Sequence, residues 1–490
     1  MTFINGALAD KASFAVAVET TPGVLTGTPD WTTLEVNSIS DFGDTISTTE
    51  RSPLSADRMR RKGGVTGLDS AVSFDTDLTY SMFDLFSQGF FFASWNAQTT
   101  FTPTAVTATG YTVPSGGTLD DGVLVYARGY SNSTNNGLHI VSSASATEVS
   151  VSDTLVADAS PATGSRLDVV GVQATTGDIT MDSDGNLNST SLDFTTLGIQ
   201  VGQWIYVGGS DTDTFFNDGG TVKSGEARVQ IVAANKLTFD KTPSGFTTDA
   251  GTGKTIQLFI GSFIKNVPYS SGSFLTETYT FEVQYDTLTN KYHYPNGNYA
   301  NEMAISMSME DKATVSYSFI GLDTPVPTSV RETGNWYDLV DTTMLNTSSD
   351  VARLEIKTSD GTSIVDVGES LIQDLTVTLT NNVTPKKGIG TLGTVLVALG
   401  NFNVDISATM YLDSSQAIVS IRNNDTVGLD FSLHNDDGGL HFDIPSMTIG
   451  DGSRDFPAGD TINMSLTGMA FKDSFYEFAL GCTKYPYLPI

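Results

Sequence analysis

The residues best suited to catalysis are few in this sequence. It contains four histidines (His139, His293, His434 and His441) and one cysteine, Cys482. The histidines do not have the sequence spacing of a zinc site or of a catalytic triad. A single cysteine excludes an intramolecular disulfide and a cysteine-rich metal site. We therefore predict that the protein is not an enzyme and carries neither a metal nor a cofactor.

Three short segments resemble parts of nucleotide-binding or calcium-binding motifs. Gly253-Lys254-Thr255 resembles the end of a phosphate-binding loop, but Thr248 stands where that motif requires glycine, and no helix is predicted to follow. Asp182-Ser-Asp184-Gly185 and Asp211-Thr-Asp213 resemble the start of calcium loops, but the remaining ligands are missing. We interpret all three segments as surface turns.

Carboxylates are the chemical groups that this sequence supplies in excess. The chain has 56 acidic and 25 basic residues and a formal net charge of −31. Such a surface repels phosphate and does not favour general binding of nucleic acid or of an anionic membrane. Six carboxylates lie on polar faces of predicted strands that carry no Lys or Arg: Glu35, Asp75, Asp77, Glu282, Asp405 and Asp430.

Five of the basic residues form one cluster within twelve positions. They are Arg51, Arg58, Arg60, Arg61 and Lys62. The cluster falls in a predicted loop between a strand at 31–40 and a strand at 71–80. Loops of roughly thirty residues are uncommon in compact domains unless they are functional. We expect this loop to contact an acidic surface, including that of another copy of the chain.

The elements that position these residues are predicted to be strands. Apolar and polar residues alternate in stretches such as Val72–Leu78 and Tyr279–Tyr285, which is typical of half-buried strands. Gly, Asn, Asp and Ser fill the connections between them. The best helix candidate is Ser81–Gln88, with Ser81 as a possible N-cap. The fold class is therefore mainly β.

Internal similarity predicts how the 490 residues divide. Residues 100–262 contain two related segments, 100–180 and 181–262, in which Gly122–Gly129 corresponds to Gly202–Gly209. The remainder is itself duplicated. Corresponding stretches are Val72–Leu78 with Val404–Met410, Tyr279–Val283 with Leu429–Leu433, and Val315–Gly321 with Ile462–Gly468. We predict a first domain formed by 1–99 and 263–330, a second domain formed by 331–490, and a block of two small β modules inserted into the first.

The sequence gives no sign of membrane insertion or secretion. No apolar run approaches the roughly 18 residues that a spanning helix needs. The first residues, MTFINGALADKASF, lack a basic segment followed by an apolar one. We expect a soluble protein that is not secreted and does not contact a membrane.

Several segments together resemble one protein family, the tail tube (major tail) proteins of long-tailed bacteriophages. The segments are Ala17–Gly23, Trp31–Ser40, Thr48–Arg58, Tyr279–Asp286, Ser306–Asp323, Leu375–Gly400 and Tyr485–Pro489. They span most of the chain outside the inserted block, and none is a catalytic signature. One departure is size, because a single domain of this family is commonly about half as long as the chain without its insertion.

The resemblance implies a fold and an assembly. Two antiparallel sheets form a sandwich flanked by a short helix, six such domains make a ring, and the inner sheets close into a β-barrel on oligomerisation. Rings then stack into a tube that carries DNA. With two domains per chain, a ring would contain three chains and have pseudo-sixfold symmetry. The inserted modules would decorate the outside, because added bulk is tolerated where it obstructs nothing.

The resemblance also implies partners and roles for the charged residues. The partners are further copies of the chain, other tail proteins (tape measure, tip and terminator), and DNA that passes without binding. The six carboxylates would line the bore, and the basic loop would lie at an inter-subunit or inter-ring contact. The protein would be a virion component that assembles in the host cytoplasm.

Other function classes remain open at this point. The inserted block suits a surface adhesin or receptor-binding protein. An acidic β protein also has the carboxylates that a glycan hydrolase uses in pairs, although no two acids here are singled out. Tubes of contractile tails and secretion systems use a related fold, usually in a shorter subunit with one domain.

Overall fold

The computed structural model describes residues 11–54, 59–218, 220–286, 288–340, 342–359, 361–366 and 371–489. Within these residues the chain forms 35 strands and two α-helices. The prediction of a mainly β protein is confirmed.

The first part of the chain forms four strands and a helix. The strands are β1 (Ser13–Val18), β2 (Asp30–Thr33), β3 (Ser38–Arg51) and β4 (Arg61–Asp77), and the helix is α1 (Tyr80–Phe91). The helix predicted over Ser81–Gln88 is confirmed, but it begins one residue earlier and ends three residues later. Thr79 caps it in place of Ser81, because Thr79 Oγ1 accepts a hydrogen bond from Met82 N at 3.2 Å.

The inserted block contains short strands around two small cores. The strands are β5 (Thr100–Phe101), β6 (Ala105–Val106), β7 (Gly110–Thr112), β8 (Val123–Arg128), β9 (Gly137–Ser145), β10 (Glu148–Val151), β11 (Arg166–Gln173), β12 (Thr180–Met181), β13 (Leu187–Asn188), β14 (Trp204–Val207), β15 (Phe216–Asp218), β16 (Thr221–Lys223), β17 (Gly225–Ala233), β18 (Lys236–Lys241) and β19 (Gln257–Ile260). One core surrounds Tyr111 and Val125, and the other surrounds Leu237 and Leu258. The strand order β11-β8-β9-β10 around the first core recurs as β19-β14-β17-β18 around the second.

The chain enters and leaves this block side by side, since Asn96 and Phe263 exchange backbone hydrogen bonds of 2.8 and 3.0 Å. The remaining strands are β20 (Ser262–Lys265), β21 (Thr278–Gln284), β22 (Tyr292–His293), β23 (Asn298–Ser308), β24 (Thr314–Gly321), β25 (Asn335–Asp338), β26 (Val351–Thr358), β27 (Ser363–Val365), β28 (Ile372–Thr380), β29 (Thr384–Lys387), β30 (Thr394–Ala398), β31 (Asn403–Tyr411), β32 (Thr426–Asn435), β33 (Gly438–Asp455), β34 (Asn463–Ala470) and β35 (Gly481–Tyr485), with helix α2 (Gln416–Asn423) after β31.

Eight strands outside the block form one antiparallel sheet, which we call the main sheet. Their order is β3-β4-β24-β23-β28-β31-β34-β33. Its apolar face packs against a second layer that contains β1 and β21, and against α1. Phe74 of β4, for example, lies 5.3 Å from Phe14 and 6.1 Å from Phe281, measured between ring centroids. The opposite face of the main sheet is polar.

The same chain of antiparallel pairs occurs twice outside the block. In a first unit, β1 pairs with β21, β21 with β23, β23 with β24, β24 with β4, and β4 with β3. In a second unit, β26 pairs with β32, β32 with β33, β33 with β34, β34 with β31, and β31 with β28. The two units are joined edge to edge by β23 and β28.

Candidate assembly surfaces

The polar face of the main sheet carries carboxylates from both units in one transverse row. Asp75 lies opposite Ser316, Ser316 opposite Ala304, Ala304 opposite Thr378, and Thr378 opposite Asp405. Four strand spacings of about 4.8 Å separate the first and last of these, or roughly 19 Å. Between them the row offers only small or hydroxyl side chains, so the two carboxylates face the same side without a cation between them.

The predicted carboxylates on this side differ in their surroundings. Asp405 is exposed, and Asp75 is half-buried and accepts a hydrogen bond from Ser38 Oγ at 2.8 Å. Asp77 is partly neutralised, because Lys312 Nζ lies 2.6 Å from its Oδ1. Glu35 is exposed but lies between β2 and β3, because the strand predicted at 31–40 is interrupted there.

Two of the six predicted bore residues must be removed from that set. Glu282 is 0% exposed in β21 of the second layer, where it pairs with Arg331 at 2.7 Å and accepts a hydrogen bond from Tyr294. Asp430 is 0% exposed and pairs with Lys241 and Arg353. The prediction failed because alternation assigns a residue to a strand face but does not reveal which other element covers that face.

The predicted basic loop is an antiparallel β-arm, so that prediction is wrong in its local structure. Strands β3 and β4 pair along their whole length as far as Arg51 opposite Arg61. Arg51, Arg61 and Lys62 are therefore strand residues, and Arg60 directly precedes β4. Arg58 lies outside the described residues. Positions 61–69 of β4 extend beyond the last pair with β24, which is about 30 Å of two-stranded ribbon.

The base of this arm is supported by a second hairpin, formed by β29 and β30. Leu68 N donates a hydrogen bond of 2.9 Å to Leu392 O, and Lys387 Nζ lies 2.7 Å from Asp69 Oδ1. Nearer the tip, Arg60 pairs at 3.0 Å with Glu50 of the arm itself, and both side chains are largely exposed. An isolated two-stranded ribbon is only marginally stable in water, so the outer arm is suited to a contact with another molecule.

A buried ionic interface attaches the inserted block to the second unit. Arg228 of the block, only 5% exposed, donates hydrogen bonds to Asp443 Oδ1 at 3.0 Å and to Asp240 Oδ1 at 3.0 Å. Burial would lower the pKa of the Arg228 guanidinium, but Asp443 and Asp240 outweigh it and hold that pKa well above its usual range. Lys241 of the block likewise contacts Asp430 and Glu355 of the second unit.

A second group in the same interface surrounds the carboxylate of Glu226, which belongs to the block. Glu226 Oε1 lies 3.0 Å from His441 Nδ1 and 3.1 Å from His434 Nε2, and Ser432 Oγ donates to Oε2 at 2.7 Å. Burial would raise the pKa of the Glu226 carboxyl, but His441 and His434 outweigh it and hold that pKa well below its usual range. Trp204 of the block stacks on His441 with ring centroids 4.0 Å apart.

The C-terminal segment closes this interface. Tyr485 of β35 donates a hydrogen bond of 2.7 Å to Trp204 O, and Tyr487 stacks on Tyr126 of the block at 4.7 Å. Sequence reasoning missed the whole interface. The available signal was that Asp430, His434 and His441 stand in otherwise apolar strands, where an ionisable residue needs a partner.

A buried carboxylate holds the segment Ala17–Gly23 in place. The buried Glu19 accepts hydrogen bonds from Gly23 N at 2.7 Å and from Thr278 Oγ1 at 2.7 Å, and also from Thr280 and Gly297. Its carboxylate therefore fastens the turn after β1 to β21 of the second layer. This is a structural role.

Among the described residues, no group of three or more His, Cys, Asp or Glu side chains could hold a metal ion. No described helix has the length and apolar character needed to cross a membrane.

Comparison with known proteins agrees with this architecture. Residues 9–470 match the sequence profile of the family described as "Phage tail tube protein". No curated protein matches the chain. The profile match extends over both units and the inserted block, and members of this family are structural components of the virion. The chain therefore belongs to the phage tail tube protein family.

Proposed function

We propose that this chain is the repeating subunit of stacked rings that form the tail tube, and that the tube is the conduit through which DNA leaves the virion. The observation that carries the proposal is the main sheet, which runs without interruption through two units and keeps one polar face. A sheet of this kind buries its edges when it closes on further copies of itself.

Three chains per ring agree with the internal repetition. The five antiparallel pairings of the first unit recur in the second, and the units already meet edge to edge within one chain. Six such units would form a ring from three chains, with threefold symmetry that resembles sixfold symmetry. Averaged electron micrographs of purified tubes test this, because six chains per ring would contradict it.

The polar face of the main sheet is the candidate bore. Asp75 and Asp405 are its best-placed carboxylates, whereas Asp77 at one end of the face is paired with Lys312 and Glu35 lies between β2 and β3. DNA carries one charge per roughly 1.7 Å, so attraction at many successive rings would hold it in the tube. The row from Asp75 to Asp405 carries carboxylates and hydroxyls, and Lys312 at the end of the face is paired with Asp77, so this face avoids that attraction.

The inserted block is placed on the outside in this arrangement. Its ion pairs run to β26, β32 and β33 on the side of the second layer, away from the polar face. The β-arm, with Arg51, Arg60, Arg61 and Lys62 near its tip, is the candidate contact with the next ring. The remaining partners would be the tape measure, tip and terminator proteins of the same tail.

A further inference from the structure

The junction between the two units within one chain is a complete strand-to-strand contact. Strand β23 pairs with β28, with Ile305 opposite Val377 and Ser308 opposite Asp374. The contact continues past the strand end, where Met309 N donates a hydrogen bond of 2.9 Å to Gln373 O. The contact between β23 and β28 therefore shows, within one chain, how the edge of one unit pairs with the edge of the next.

The strands equivalent to these two have open edges. In the second unit, β28 is paired on both sides, by β31 and by β23. Its counterpart in the first unit, β3, is paired only by β4 in the described part of the chain. The counterpart of β23 is β33, whose residues 449–455 pair only with β34 there.

The strand pairings show which residues of the first unit correspond to which residues of the second. If Val72–Leu78 matches Val404–Met410, then Ile39, opposite Phe74, corresponds to Val377, opposite Ile406. The same step relates β23 to β33. In the first unit, Thr76 pairs with Val315, and Val315 pairs with Ile305. In the second unit, Ala408 pairs with Leu466, and Leu466 pairs with Asp451. Ile305 therefore corresponds to Asp451. The same pairing makes Val315 equivalent to Leu466, so the expected match of Val315–Gly321 with Ile462–Gly468 is four residues out of register.

Each unit also has a cleft, beside β28 in the second unit and beside β3 in the first. Among the residues that the structure describes, only the cleft beside β28 is lined by the end of a strand from the other unit. The cleft of the second unit, about 370 Å³, is lined by Val351, Leu375 and Tyr411 and by Met307 and Met309 from the end of β23. The equivalent cleft of the first unit, about 640 Å³, is lined by Phe14, Asn37 and Thr79 and by the connecting residues Leu339 and Met344. None of its described lining residues belongs to a strand of the second unit.

The end of β33 carries an exposed apolar side chain and an exposed cation, which suit the cleft of the first unit. A bulge after Asp451 adds one residue to β33, so Phe456 corresponds to Met309. Phe456 is 67% exposed although it is apolar. Arg454 corresponds to Met307 and is exposed. The wall of the first unit's cleft contains the exposed carboxylate of Glu35, whereas Asp77 beside it is already paired with Lys312. The cleft therefore offers one carboxylate to an arriving cation as well as an apolar floor.

We propose that the open edge of β33 in one copy pairs antiparallel with the open edge of β3 in a second copy, with Asp451 opposite Ile39. In this seam, Phe456 enters the cleft beside Phe14, and Arg454 pairs with Glu35. The proposal rests on the proposed function, because it names the contact that closes the ring. A contact between two different surfaces of identical chains forms a ring when its rotation closes, and three copies would do so here.

Cysteine cross-linking of assembled tubes tests the seam. Paired strand residues have Cα atoms about 4.5–5.5 Å apart, within the range of a disulfide. The sole native thiol, Cys482, is 0% exposed and does not interfere. Oxidised tubes of the Ile39→Cys, Asp451→Cys variant should give disulfide-linked dimers and trimers, with the trimer as the largest product. The matched control is Ile39→Cys, Gly450→Cys, whose second thiol points to the other face of β33.

The possible outcomes distinguish an error in the proposed seam from an error in the proposed function. Tubes without cross-links, or with equal cross-linking in the control, would overturn the seam and leave the tube intact as a proposal. Failure of the unmodified protein to form tubes with other tail components present would overturn the proposed function. If the cysteine variant does not assemble, Phe456→Ala replaces it: we expect a tenfold or larger rise in the critical concentration for assembly. Phe475→Ala, which truncates another exposed ring, should leave it unchanged, and equal effects would contradict the seam.

Discussion

Asp75 and Asp405 lie in one transverse row of the main sheet, although they belong to different units of the chain. Three strands separate β4 from β31, and the row between them contains Ser316, Ala304 and Thr378. A single chain thus presents two carboxylates at the same level of the polar face, roughly 19 Å apart. Repeated around a ring, this row would give a band of negative charge.

Reversing the charge of this row should slow the release of DNA. We expect Asp75→Lys with Asp405→Lys to assemble, because both side chains project from the polar face, and to eject DNA more slowly than the wild type. The effect should be larger at low salt, where screening is weak. The matched control is Asp184→Lys, an exposed carboxylate of the inserted block. Ejection at the wild-type rate from particles carrying the double variant would refute the acidic bore.

Charge reversal in the β-arm should weaken assembly without unfolding the subunit. Arg60 and Lys62 are exposed near the arm tip, so Arg60→Glu with Lys62→Glu should raise the critical concentration for tube formation. Exposed ion pairs contribute only about 0–1 kcal/mol each, but the contact repeats at every subunit. Lys472→Glu, at another exposed cation, is the control. Normal tubes from the arm variant, at low and high salt alike, would exclude the arm from the interface.

The two buried aspartates of the ionic interface should differ in their contribution to the free energy of unfolding. Lys241 and Arg353 outweigh the burial that would raise the pKa of Asp430, and they lower it to about 2. For Asp443, burial dominates over Arg228 and raises the pKa. Asp430→Asn should therefore cost about 3 kcal/mol and Asp443→Asn clearly less, since breaking a well-compensated buried pair is the costlier change. Urea unfolding at neutral pH measures both, and the reverse order would contradict this account.

The depressed pKa of Asp430 also predicts how stability responds to acid. A carboxyl with a lower pKa in the folded state stabilises the fold above its ordinary pKa of 3.8 and loses that contribution as the pH falls towards about 2. The difference in melting temperature between the wild type and Asp430→Asn should therefore shrink between pH 4 and pH 2. A constant difference over that range would mean that Asp430 is not ionised in the folded protein.

Removal of the inserted block should destabilise the second unit. Residues 100–262 contain two hydrophobic cores of their own. However, replacing residues 100–261 by a short Gly/Ser linker removes Arg228 and Lys241 and leaves Asp443 and Asp430 with fewer partners. We expect a lower melting temperature and poor assembly. Restored stability on adding Asp430→Asn and Asp443→Asn would identify the unpaired charges as the cause, whereas normal tubes from the simple deletion would contradict the prediction.

The sequence by itself determined the elements and the family. Alternation in Val72–Leu78 and Val404–Met410 predicts strands because successive side chains of a strand point to opposite faces, and that property is local. The same argument correctly placed Asp75 and Asp405 on the polar side of those strands. The helix after β4 was predictable for the same reason, since its apolar residues are close in sequence.

Only the tertiary structure decided which faces are covered and by what. Asp430 alternates with apolar residues as Asp405 does, yet Lys241 and Arg353, from other parts of the chain, cover it. The predicted loop is an arm because β3 and β4 pair as far as Arg51 opposite Arg61. The register of that pairing shifts at bulges along β3, which no local sequence pattern reveals. Contacts such as Arg228 with Asp443 join residues far apart in sequence, and no local pattern encodes them: they exist only because the inserted block packs against the second unit.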